Sequence, residues 1–132
     1  MIATEIKVDD LIGRRYVEGA HDIAAGPLDC AGACAAVLLR GGELEAAASV
    51  VSPQPESGYD SSGWTRIADG VDGRLPLLAV IVSKLVDGHV NVACVHSEKS
   101  QRALTSVPER GVCSLPIRAI GSVEGVYTWG ER

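Results

Sequence analysis

Phenylalanine is missing from this sequence, and aromatic residues together make up only 4% of it although 46% of its residues are hydrophobic. The core must therefore be filled by Val, Leu, Ile and Ala, side chains of modest volume. A block of Lys or Arg is missing as well. With 12 basic against 17 acidic residues and a net charge of −5, the composition argues against a nucleic-acid partner. There is no run of 18 apolar residues. The nearest approach, "LPLLAVIVSKLV" at 75–86, carries Lys84 inside it, so no membrane span and no membrane partner is expected. The opening "MIATEIKVDD" lacks the basic start and apolar stretch of a signal peptide. The chain is thus expected to be made in the cytoplasm and not exported by a signal of its own.

What is present fits one domain of 132 residues, long enough to bury a core without covalent staples. The cysteines are Cys30, Cys34, Cys94 and Cys113. In a reducing compartment they are expected as free thiols, or one of them as a reagent. Their spacing, C-x-x-x-C followed by two isolated cysteines, lacks the paired C-x-x-C knuckles of zinc and iron–sulfur sites, so no metal and no cofactor is expected.

Local signals divide the chain into a helical first half and a β-rich second half. "KVDDLIG" at 7–13 reads as a short helix stopped by Gly13. Asp29 is placed to cap a helix from Cys30 to Arg40, which the pair Gly41 and Gly42 ends. "ELEAAASVV" reads as a further helical piece, and "SPQPESGYDSSGW" as a loop. Beyond it, "LLAVIVSKLV" and "HVNVACV" flank Asp87-Gly88, a two-residue hairpin signal. "RALTSV", "GVCSLPI" and "VEGVYTW" read as further strands. Helices followed by a strand meander give an α+β fold with the helices on an antiparallel sheet. Trp64 and Trp129 read as packing anchors, or as contact residues if the domain belongs to an assembly.

The chemistry converges on Cys30. A helix start offers unpaired N–H groups and the positive end of the dipole, both of which favour a thiolate nucleophile, although free cysteine is often simply a small core residue. A thiol nucleophile needs a base, and the histidines are His21, His89 and His96. His89 opens the second hairpin strand, whereas His21 lies in a loop and His96 falls on the opposite face of the strand from His89.

These residues carry a family resemblance. "LIGRRYVEGAHDIAAGPLDCAGACAAVLLR" at 11–40 resembles the opening of the NlpC-type cell-wall peptidases, papain-like cysteine hydrolases in which a G-x-x-Y-x-x-G segment precedes D-C at a helix start. Gly13, Tyr16, Gly19, Asp29 and Cys30 hold those places. "DGHVNVACV" is similar to the family's histidine strand, and "VEGVYTW" to the closing strand of versions found in bacteriophage tails. The resemblance implies a papain-like fold and hydrolysis of amide bonds in peptidoglycan stem peptides as a phage penetrates its host. It also implies a virion location beside other tail proteins. Cys30 would be the nucleophile, His89 the base and Thr105, on the strand after it, the third catalytic residue; Tyr16 and Asp29 would line the substrate site.

The sequence departs from the family at several of these places. The strand after His89 carries "ALTSV" where the family has a polar residue, usually in an H-A motif; Thr105 falls in that place, and alternation sends its neighbour Ser106 to the opposite face. A Gly-Asp that precedes the family's first hairpin strand is replaced by "GRLPLL", and "YVEGA" lacks the aromatic and second glycine of Y-x-W-G-G. The departures favour an alternative of another class, a structural tail-tip or assembly protein with the same fold and lost or weakened hydrolysis. An intracellular amidase or acyltransferase of the same fold has no positive sign in the sequence.

Overall fold

The computed structural model describes residues 4–52, 63–84 and 88–130. Two helices, α1 (Cys30–Arg40) and α2 (Leu44–Val51), precede six strands: β1 (Trp64–Ala68), β2 (Val80–Lys84), β3 (Val90–Ser97), β4 (Arg102–Val107), β5 (Gly111–Pro116) and β6 (Val123–Trp129). The strands form one antiparallel sheet in the order β1-β6-β2-β3-β4-β5. The α+β class is as the sequence pattern indicates, but the sheet is not a simple meander. Strands β2 to β5 follow one another, and β6 then returns to pair with β2, taking the unforeseen β1 at its outer edge. The β2–β3 hairpin holds, with Lys84 opposite Val90. Gly88 has φ +91°, a conformation glycine adopts without penalty; Asp87, like most of the expected 52–64 loop, lies outside the described residues.

Period-2 alternation gives the sheet two dry faces. Val80, Val82, Val92, Cys94, Leu104, Val112 and Tyr127 pack on the helices. Ala79, Ile81, Ala93, Val95, Ala103 and Val126 form a second cluster with Leu75 and Ile117 on the other side. Covered on both sides, β3 is buried at every residue but Val90, which is why it reads as an almost continuous apolar run. On the helical side the missing aromatic bulk is made up by close approach: Gly32, Ala33, Cys34, Ala35 and Ala36 are buried along α1, and such small side chains let the helix lie near the sheet. At one corner of the sheet Trp64 and Trp129 meet edge to face at 5.1 Å between ring centroids. The Trp64 indole N–H there donates to Ser49 Oγ at 2.9 Å, tying β1 to α2.

The expected helix at 7–13 is instead a single turn, with Leu11 N–H donating to the Val8 carbonyl at 2.9 Å. Its backbone groups are claimed by the sheet. Ile6 N–H donates to the His96 carbonyl at 2.7 Å, Gly13 N–H to the Val112 carbonyl at 2.9 Å, and Val112 N–H returns to Arg14 at 2.8 Å. Val8 and Leu11 bury their side chains in the core. The N-terminal segment thereby closes the open edge of β5.

His96 lies beneath this segment, only 7% exposed. Its Nε2 is 2.8 Å from Ser114 Oγ, which also accepts from Arg102 Nε at 3.0 Å, while its Nδ1 has no hydrogen-bond partner among the described residues. Burial, and then the Arg102 charge, push its pKa below the ordinary histidine value; Glu5, Asp9 and the Ile6 backbone oppose them. The unfolded chain therefore takes up a proton near the ordinary value that the folded chain refuses, and stability falls as pH drops through about 6.5. Asp10 contributes in a separate, more acidic window. Its paired hydrogen bonds to Arg40, both 2.7 Å, hold it down to about 2, so its contribution is lost only as pH falls below the usual carboxylate range. Denaturant midpoints measured between pH of about 7.5 and 5 should decline for the wild type and stay nearly level for His96→Gln, which removes the titrating group.

Candidate active site

Asp29 builds the start of α1 and the wall beside it. Its Oδ1 accepts from Gly32 N–H at 2.8 Å, an N-cap. Its Oδ2 accepts from Gly19 N–H at 3.0 Å, and its own N–H donates to the Ala20 carbonyl at 2.9 Å. His21 Nε2 stands 3.3 Å from Oδ1. The loop is so close to the helix that a Cβ on Gly32 would meet the Ala20 carbonyl oxygen at 2.8 Å, so only glycine fits there. One carboxylate thus caps the helix and fastens the segment that carries Tyr16. Asp29, expected to line the substrate site, also has a structural role, both of its oxygens accepting from backbone N–H groups.

Tyr16, Asp29, Cys30 and His89 line one cleft of about 390 Å³, together with Glu18, Val90, Asn91 and Pro108. Cys30 is half-buried and His89 exposed. The cleft opens where β3 and β4 part. Their pairing runs as far as Cys94 opposite Leu104, and beyond it side chains take over the backbone groups of Val92. Thr105 Oγ1 donates to the Val92 carbonyl at 2.7 Å, and the Val92 N–H lies where it favours the ionised form of the Cys30 thiol. Cys30 therefore occupies a gap in the ladder at the sheet's end.

Thr105 is not part of this lining. It is 1% exposed and on the face of β4 that carries Ala103, away from the helices. Its hydroxyl donates to Val92 and accepts from Asn91 Nδ2 at 3.2 Å. Ser106 is on the helical side, where its hydroxyl donates to the Leu28 carbonyl at 2.7 Å. The expected split of the two hydroxyls between faces is observed: Thr105 shares its face with Asn91, and its hydroxyl is engaged with Val92 and Asn91. Continuing the β3–β4 register puts Val107 and Pro108 level with Asn91 and Val90, and Thr105 meets this end of β3 through its hydrogen bond with Asn91. Glu18 and Asn91 were not anticipated as site residues. Asn91 had a signal, a lone amide within an apolar strand; Glu18 had none.

The Cys30 thiol is also less acidic than its place in the helix suggests. Burial raises its pKa and the Asp29 charge adds to this, outweighing the N–H groups of Val92, Ala31 and Cys30 itself. The Cys30 sulfur therefore rests as a thiol near neutral pH. The Tyr16 phenol is pushed up by burial and then by negative charge at Cys30, Glu18 and Asp29, so it keeps its proton and can donate it in a hydrogen bond. Cys34 and Cys94 are fully buried, their thiols raised by loss of solvent; they belong to the core. Among the described residues, no group of three or more His, Cys, Asp or Glu side chains converges to hold a metal ion, and no helix is long and apolar enough to cross a membrane.

In the native protein, iodoacetamide should modify Cys30 and Cys113 while sparing Cys34 and Cys94, and the Cys30 rate should keep climbing above a pH of about 8.5. Asp29→Ala should lower stability by about 1 to 2 kcal/mol through loss of the cap, and hydrogen exchange at Gly19 should accelerate in the same variant. No family model matches the chain, and neither a curated protein nor a solved structure matches it.

Proposed function

We propose that this chain is a papain-like cysteine hydrolase of the NlpC type, a phage or prophage tail component that cleaves amide bonds of peptidoglycan stem peptides. The supporting observation is the cleft itself, which gathers Cys30 from a helix start, His89 from a strand start and Tyr16 from the preceding segment. Because the thiol rests protonated, His89 removes its proton as sulfur attacks the amide carbonyl. The oxyanion faces the N–H groups at the helix start and the Tyr16 hydroxyl. His89 then passes the proton to the departing amine, leaving a thioester on Cys30. Water, deprotonated by His89, hydrolyses that thioester and restores the thiol. The stem peptide, the neighbouring tail proteins and the virion location rest on the resemblance of "GRRYVEG" and "DC" to that family.

The raised Cys30 pKa and the engagement of Thr105 elsewhere favour a second reading, a structural tail protein of the same fold with weak or lost hydrolysis. Release of amino groups from purified peptidoglycan distinguishes the two. Wild-type protein should release them slowly, faster at a pH of about 8.5 than at 7 because a larger fraction of the thiol ionises. Cys30→Ala should release none while keeping the wild-type circular dichroism spectrum. Equal inertness of both proteins would establish the structural reading.

A further inference from the structure

We infer that Asn91 is the positioning residue for His89, its amide oxygen accepting the imidazole N–H, and that Thr105 acts through Asn91 instead of on the histidine directly. Asn91 lines the cleft with Cys30 and His89, yet it is only 8% exposed in a strand whose other residues, Val90 apart, are buried as well. An amide in such a place is costly unless its groups are hydrogen-bonded. Its orientation follows from its partner. The Thr105 hydroxyl proton is committed to the Val92 carbonyl at 2.7 Å, so toward Asn91 that oxygen acts only as an acceptor. The group 3.2 Å from it must be the amide NH2. The carbonyl oxygen of Asn91 is thereby turned away from Thr105. His89 immediately precedes β3; carrying the strand's alternation back by one residue puts its side chain on the side of Asn91, where this oxygen lies.

A carbonyl acceptor fixes which imidazole nitrogen carries the proton and leaves the other to act as base. Being neutral, it adds no charge to stabilise an imidazolium, in keeping with a site whose cysteine rests as a thiol. The inference takes its chemical meaning from the hydrolase reading above, but its test does not depend on activity.

Long-range proton–nitrogen NMR spectra of nitrogen-15-labelled protein report the tautomer of each neutral histidine ring. In the wild type His89 should hold one tautomer. Asn91→Ala should move it toward the mixture of a free imidazole, Thr105→Val should shift it part of the way, and Thr105→Ser, which keeps the hydroxyl, should restore the wild-type signal. If turnover is measurable, Asn91→Ala should lower kcat by about tenfold or more with KM changed less than about twofold. A His89 tautomer unchanged in Asn91→Ala would overturn the inference whatever the activity. Should that variant fail to fold, the Thr105→Val and Thr105→Ser pair decides on the same signal: no difference between them overturns it. An inert wild type with the expected tautomer changes would remove the hydrolase reading and leave the positioning role standing.

Discussion

The carboxylate of Asp29 joins the start of α1 to the loop that carries Tyr16. One oxygen satisfies an N–H at the start of α1 and the other an N–H in the loop ten residues earlier, so the helix cannot begin elsewhere without releasing the segment that carries Tyr16. The close fit at Gly32 makes the arrangement stiff, since the loop rests directly on the helix backbone. Position at the cleft follows from this. Cys30 is the next residue after the cap, and the Val92 N–H acts on its thiol because the helix start is pinned against the parted ends of β3 and β4.

The same pinning explains why the Cys30 thiol holds its proton. A helix start helps a thiolate through its N–H groups, but here it is delivered into a gap in a sheet, where water is scarce and a carboxylate is adjacent. Desolvation wins. On the hydrolase reading proposed above, the thiol would lose its proton at the moment of attack instead of resting in an ion pair, and the orientation of the base would matter more than the acidity of the sulfur.

Much of this was legible in the residues. The cap at Asp29, the extent of α1 and the strands from β2 to β6 follow from local rules, because capping, glycine stops and alternation act over a few residues. The edge strand β1 was missed because its five residues are mostly only half-buried, so alternation leaves little trace. The turn at 7–13 was misread as a helix because Gly13 looks like a helix stop, whereas Ile6, Gly13 and Arg14 find their backbone partners on β3 and β5, far along the chain. For Thr105 the alternation was legible, but its engagement with Asn91 and Val92 was not. A strand buried on both sides does not say which side the helices cover, and the acidity of Cys30 was misjudged for a related reason, since a dipole can be read locally and burial cannot.

The pairing of Trp64 with Trp129 has a spectroscopic consequence. These are the two tryptophans of the chain, and their rings touch at the corner where β1 and β6 meet α2. Intrinsic fluorescence is therefore a local reporter. It follows the seating of the edge strand and, through exciton coupling of the close indoles, should give a distinctive near-ultraviolet dichroism, but it carries no direct signal from Tyr16, Cys30 and His89. Optical melting curves of this protein describe the β1–β6 corner, and the state of the cleft has to be read from its own side chains.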